Sequence, residues 1–167
     1  MFKGEAAEHH SLAEEMARLH VPGVSVAFVR DGRIAWVRGY GVKSVGGSPV
    51  TPDTLFQAAS ISKPLTALAV LRLVEMGRLD LDTNVNRYLK TWKVGANAFT
   101  AQKPVTIRGL LTHTAGVTVH GFPGYSAGEP VPTLTQVLDG VLPANSPPLW
   151  VDTTPGTIWR YSGGGYV

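Results

Sequence analysis

The longest apolar stretch of the chain, Leu65 to Val74, follows directly on Ser60-Ile61-Ser62-Lys63-Pro64 and sets the first constraint on the fold. It is too short, and too interrupted by Thr66 and Arg72, to cross a bilayer. Pro64 suits a first helical turn, where its missing N–H is harmless, and Gly77 is placed to stop the helix. Leu65, Leu68, Ala69, Leu71 and Val74 recur at helical spacing, which predicts a buried helix covered by other elements.

The other elements are modest. Ser11-x-x-Glu14 is a capping box, with Leu12, Met16 and Leu19 behind it on one face. Val24 to Val29 and Ile34 to Tyr40 are β-rich runs joined through Asp31-Gly32, a hairpin signal. Residues 42–54 read as a surface loop. Thr106 is placed to cap a short helix through Leu111, with Gly116 as its stop. Thr133-x-x-Gln136 is a second capping box, followed by Leu134, Val137, Leu138 and Val141 at helical spacing. No repeat, low-complexity tract or linker divides the 167 residues, a length that fits one domain or part of one.

Composition narrows the chemistry. There is no cysteine, which excludes disulfides, thiolate zinc sites and a cysteine nucleophile. The net charge is only +3 and Lys and Arg are scattered, so a nucleic-acid partner gains no support. The first residues, Met1-Phe2-Lys3-Gly4-Glu5, carry no apolar signal core. A cytoplasmic location is therefore expected, or a periplasmic or secreted one where a leader has been removed. His9, His10, His113 and His120 lack the i, i+4 pattern with an intervening Glu that marks a zinc hydrolase. Neither a metal nor a cofactor is expected. His9 and His10 read as solvated, His113 as hydrogen-bonded in a loop, and Trp36, Trp92, Trp150 and Trp159 as core or site-wall aromatics.

The reactive pattern is Ser60-x-x-Lys63. Positions three apart on a helix share a face, so hydroxyl and amine can meet. A serine hydroxyl becomes a useful nucleophile when a neighbouring base takes its proton, and a neutral lysine can do so. Free N–H groups at a helix N-terminus could also receive an oxyanion there. The same residues equally suit an N-capping serine beside a solvated lysine.

Four segments in order extend the pattern. Phe56-Gln57-Ala58-Ala59-Ser60-Ile61-Ser62-Lys63-Pro64, with its apolar helix, resembles the active-site segment of the serine β-lactamase and penicillin-binding protein superfamily. Val24 to Val29 with Asp31-Gly32 resembles that superfamily's first strands. Thr106 through His113-Thr114-Ala115-Gly116 is similar to a segment of its class C and esterase branches. Pro155-Gly156-Thr157 to Tyr161-Ser162-Gly163 resembles the stretch carrying its Tyr-x-Asn motif. The resemblance is strongest to the class C-like and family VIII carboxylesterase type.

It implies an α+β, β-lactamase/transpeptidase-like fold, in which an antiparallel sheet is flanked by helices as a three-layer α-β-α sandwich. It implies Ser60 as the acylated nucleophile, Lys63 as its base and Tyr161 as the second proton carrier. The implied activity is cleavage of small esters. The alternatives are amide chemistry (a β-lactamase, D-aminopeptidase or DD-peptidase) and a catalytically silent sensing or assembly protein. Gly163 stands where penicillin-recognising members carry Asn, a substrate-amide contact, and its presence favours esters. Residues 117–132, with Phe122 and Tyr125, read as a loop flanking the substrate. The third motif of the superfamily, on a late strand, is absent, since His113-Thr114-Ala115-Gly116 precedes Tyr161. Residues 1–167 are accordingly expected to form the N-terminal portion of a single such domain. The C-terminal strands would come from a complementary segment, in the same or a second chain, without which this chain is expected to be unstable and inactive.

Overall fold

The computed structural model describes residues 11–167, and His9 and His10 lie outside the described residues. The chain forms two compact units, one ending at Gln57 and the other running from Ala58 to Val167.

In the first unit Ser11 caps α1 (Leu12–Arg18), and the reciprocal Ser11–Glu14 bonds of the capping box are both present. The hairpin follows as β1 (Gly23–Arg30) and β2 (Arg33–Gly41), paired antiparallel with Arg30 opposite Arg33 and one register irregularity between Phe28 and Val29. Asp31 and Gly32 take φ of 51° and 70°, the left-handed pair that a two-residue turn between right-twisted strands requires. Residues 42–54 form a largely exposed loop that is tied down at Val50. Val42 bridges Pro49, the Val50 N–H bonds the Gly41 carbonyl at 3.0 Å, and Val50 is buried. The loop folds back because a β-branched side chain gains more under the hairpin's end than in water.

The second unit opens with a 3-10 turn, Ala59–Ile61, continuous with α2 (Ser62–Glu75). The burial of α2 that its periodicity predicts is incomplete. Leu65, Leu68 and Leu71 are 69%, 65% and 47% exposed, and no residue of the helix is fully buried. The physical reason is that Val70 faces the core of this unit, while the face with Leu65 and Leu68 has no cover among the described residues.

That core consists of Val85, Val105, Ile107, Ala115, Val117 and Val151. It draws on a 3-10 turn (Val85–Arg87), α4 (Ile107–Leu111) and extended segments around them, and the unit also contains α3 (Ala98–Gln102) and α5 (Leu134–Asp139). Isolated bridges Asn84–Thr106 and Val117–Val151 tie them together. Thr106 caps α4 and Thr133 caps α5 through its capping box, as their spacing predicts. Two stops differ from expectation. His113, with φ of 60°, turns the chain after α4 before Gly116 is reached. Gly140, at φ of 63°, ends α5 and leaves Val141 outside it.

Gly116 has a different task. Its φ is 68°, and a Cβ there would lie 2.1 Å from the Thr153 carbonyl oxygen. Gly116→Ala is therefore expected to destabilise the chain by about 1–3 kcal/mol, through backbone strain and overpacking together. Thermal unfolding is the check, with Gly128→Ala as control, since Gly128 also has positive φ but nothing within 4 Å of its position. Equal midpoints for the two variants would remove the packing component.

Candidate active site

The turn Ala59–Ile61 places Ser60, and α2 places Lys63 one helical turn further on. The Lys63 ammonium donates to Ser60 Oγ at 3.0 Å. Ala59, immediately before Ser60, holds φ of 43°, a left-handed conformation costing about 1–3 kcal/mol in a non-glycine residue and found where function over-determines the backbone. Ser60 thus sits before the helix and not within it. The N–H groups of Ile61 and Ser62 are already engaged by the Ala58 and Ala59 carbonyls. The expectation that free helix-terminal amides there could receive an oxyanion is corrected to that extent.

Tyr161 arrives from 101 positions away, its Oη 2.7 Å from Ser60 Oγ. The structure therefore brings Ser60, Lys63 and Tyr161 to one point. Lys63 Nζ also lies 5.0 Å from the Tyr161 ring centroid and 5.4 Å from that of Tyr166. Interaction with Lys63, and then with the Ser60 hydroxyl, draws the Tyr161 phenol below its ordinary pKa of 10.0. Burial pushes that of Tyr166 up, and its hydroxyl donates to the Leu111 carbonyl at 2.8 Å.

The Tyr161 segment is stitched to residues 113–120 along its length. The Arg160 N–H donates to the His113 carbonyl at 2.9 Å, and the Gly163 N–H to that of His120 at 2.8 Å. Ser162 is buried, its hydroxyl donating to the Thr118 carbonyl at 2.6 Å. The Arg160 guanidinium pairs with Asp152, lowering the pKa of that carboxyl, and also donates to the Val117 carbonyl at 3.2 Å.

Other expected residues fall elsewhere. Gly163 adjoins Tyr161 with an ordinary φ of −65°, but a Cβ there would meet the His120 carbonyl oxygen at 2.8 Å. Close approach of the backbone, and not an unusual dihedral, is what glycine permits at this position. Tyr125 is tied to the segment after α5, accepting the Asn145 N–H at 3.2 Å, and Phe122 is 39% exposed. Neither bonds to Ser60, Lys63 or Tyr161 among the described residues. Trp150 and Trp159 are exposed at 62% and 68%, so neither is a core residue. Trp159 instead lies edge-on to His113 at 6.1 Å. Among the described residues no cluster of three or more His, Asp or Glu could hold a metal ion.

Sequence reasoning missed His113, His120 and Tyr166 as neighbours of the reactive group. The His113 and His120 rings lie 4.5 Å and 5.0 Å from that of Tyr161. The His113-Thr114-Ala115-Gly116 segment, distinctive in the sequence, was the available signal.

Over 107 residues the chain is 31% identical to Protein flp of Staphylococcus aureus (strain N315), covering 64% of this chain and 21% of that protein. Over 96 residues it is 43% identical to Esterase EstB of Burkholderia gladioli, covering 57% and 24%. A solved structure of D-amino acid amidase from Ochrobactrum anthropi SV3 superposes with a TM-score of 0.69 at 27% identity, covering 92% of this chain and 41% of that one. The chain thus spans about a fifth to a quarter of the length of the curated relatives it matches. Its hairpin and helices form part of a β-lactamase/transpeptidase-like fold. The beta-lactamase family model matches residues 10–167, and with that span the chain belongs to the beta-lactamase family.

Proposed function

We propose that the chain carries the nucleophilic centre of a serine hydrolase that cleaves small esters through an acyl-Ser60 intermediate. The observation that carries this reading is the Ser60 hydroxyl held within hydrogen-bond distance of both Lys63 and Tyr161. Ser60 Oγ attacks the acyl carbon while its proton passes to the Lys63–Tyr161 pair. The ester C–O bond then breaks and the pair returns that proton to the departing alkoxide, releasing an alcohol. Water repeats the exchange on acyl-Ser60 and releases the carboxylic acid. The lowered pKa of Tyr161 suits a group that must both accept and return a proton.

Gly163 and the likeness to Esterase EstB favour esters. The likeness to D-amino acid amidase keeps amide cleavage as the second reading. In this proposal the loop leaving His120 brings Phe122 and Tyr125 to the wall of the substrate site. The exposed leucines of α2 are covered by a complementary segment equivalent to the part of the relatives that this chain does not span.

A fluorophosphonate probe, with peptide mapping, tests the centre on this chain alone and with the C-terminal remainder supplied in trans. The adduct is expected on Ser60, only when the remainder is present, and not in Ser60→Ala; an adduct on Ser62 would move the nucleophile. In the labelled preparation, Lys63→Ala and Tyr161→Phe are each expected to slow p-nitrophenyl ester turnover by about 10²–10⁴-fold. Nitrocefin turnover exceeding that of short esters would replace the ester reading with the amide one.

A further inference from the structure

Building on that reading of Ser60, Lys63 and Tyr161, we propose that His113 is a positioning residue whose neutral imidazole, accepting from the backbone N–H of Ser162, fixes the Tyr161 phenol against Lys63 and Ser60. The two peptide N–H groups that flank Tyr161 are both taken by this one residue. The Arg160 N–H goes to its carbonyl at 2.9 Å and the Ser162 N–H to its Nδ1 at 3.2 Å. In a regular bridge both acceptors would be carbonyls; here the ring nitrogen stands in for the second. The left-handed backbone of His113, with φ of 60°, is consistent with a residue that must present carbonyl and side chain to the same segment.

The ring also fills the space behind the reactive group. It packs 4.5 Å from the Tyr161 ring and 5.4 Å from the Tyr166 ring. The Lys63 ammonium lies over both of those rings, so His113 and Lys63 contact the same two aromatics. Displacement of the imidazole would free Tyr161 Oη to move away from Ser60 Oγ, and misplacement by about 1 Å is enough to cost about 10²-fold in rate.

The hydrogen bond dictates the tautomer. A ring nitrogen that accepts from Ser162 carries no hydrogen, so the neutral imidazole holds its proton on Nε2. Protonation would put a second donor on Nδ1 against the Ser162 N–H, and a positive charge near the Lys63 ammonium. The titratable groups facing the ring are Lys63 from α2, and Tyr161 and Tyr166 from the last segment. None is a carboxylate that would favour the imidazolium. Burial, and then Lys63, hold the His113 pKa below its ordinary 6.5. With the folded value depressed, the ordered site is complete above pH 6.5 and loses stability as pH falls through that value toward the lowered one.

The test uses whichever preparation labels at Ser60. Nitrogen-15 histidine NMR on the unsubstituted protein is expected to show His113 Nδ1 unprotonated at neutral pH. On acidification Nδ1 gains its proton together with shifts of the Ser162 amide and the Tyr161 ring. A neutral His113 protonated at Nδ1, or one titrating without moving either neighbour, would overturn the proposal. His113→Asn keeps an acceptor near the Nδ1 position and tolerates left-handed φ. It is expected to label within about tenfold of the unsubstituted rate near pH 8, and to lack the acid-side inflection in labelling rate that protonation of His113 gives the unsubstituted protein. His113→Phe keeps a ring but no acceptor and is expected to label at least about tenfold more slowly than His113→Asn. The same acid-side inflection in His113→Asn, or equal rates for the Phe and Asn variants, would contradict a positioning role. Labelling that persists in Ser60→Ala would instead defeat the nucleophile assignment and leave the tautomer result standing.

Discussion

A serine hydroxyl and a tyrosine hydroxyl separated by 101 positions meet at 2.7 Å, with a lysine amine on the same serine oxygen at 3.0 Å. These contacts cannot hold themselves together. A hydrogen bond nets only about 0.5–1.5 kcal/mol, and less where water competes. Closing a loop of this length costs about 4 kcal/mol in chain entropy alone. The surplus must come from elsewhere, and the six buried side chains around Val105 and Val151 supply it, at about 1.5–3 kcal/mol for each large apolar side chain removed from water. The order of dependence runs from core to stitched backbone to reactive group.

The electrostatics follow from the same placement. Lys63 lies over two tyrosine rings and favours ionisation of both, but burial outweighs it at Tyr166, whose hydroxyl is committed to the Leu111 carbonyl, whereas the Tyr161 hydroxyl faces Ser60. Tyr161 is pulled toward ionisation and Tyr166 is pushed away from it. Titratable neighbours whose environments drive their pKa values apart are the usual mark of divided labour in proton transfer. Tyr166 has the character of a fixed wall and Tyr161 that of a group able to exchange a proton.

Local signals were legible in the sequence where local physics decides. Ser11, Thr106 and Thr133 cap the helices their spacing predicts, and Asp31-Gly32 makes the turn between β1 and β2. Asn97 went unread as the cap of α3 because its N3 partner is Thr100, outside the Glu or Gln pattern of the usual box. Helical periodicity reports the apolar face of α2 and not what covers it, so the exposure of Leu65 and Leu68 was readable only through the expectation of a complementary segment outside this chain. Within the site, Ser60 and Lys63 were legible as a pattern and Tyr161 through resemblance. His113 was legible as a hydrogen-bonded loop residue but not as a neighbour of Tyr161, since that place depends on a ring nitrogen replacing a carbonyl in a long-range pairing. Nor was the left-handed Ala59, because alanine carries no sequence signal for positive φ.

The central claim is that Lys63 and Ser60 act on the Tyr161 phenol as one hydrogen-bonded group. Ring-labelled tyrosine NMR followed through an alkaline titration measures it directly. The account predicts that Tyr161 ionises below 10.0 and Tyr166 above it, and that Lys63→Met returns Tyr161 toward 10.0 while Tyr166 still titrates above that value. A Tyr161 that ionises at 10.0 or higher in the unsubstituted protein, or that is unmoved by Lys63→Met, would contradict it.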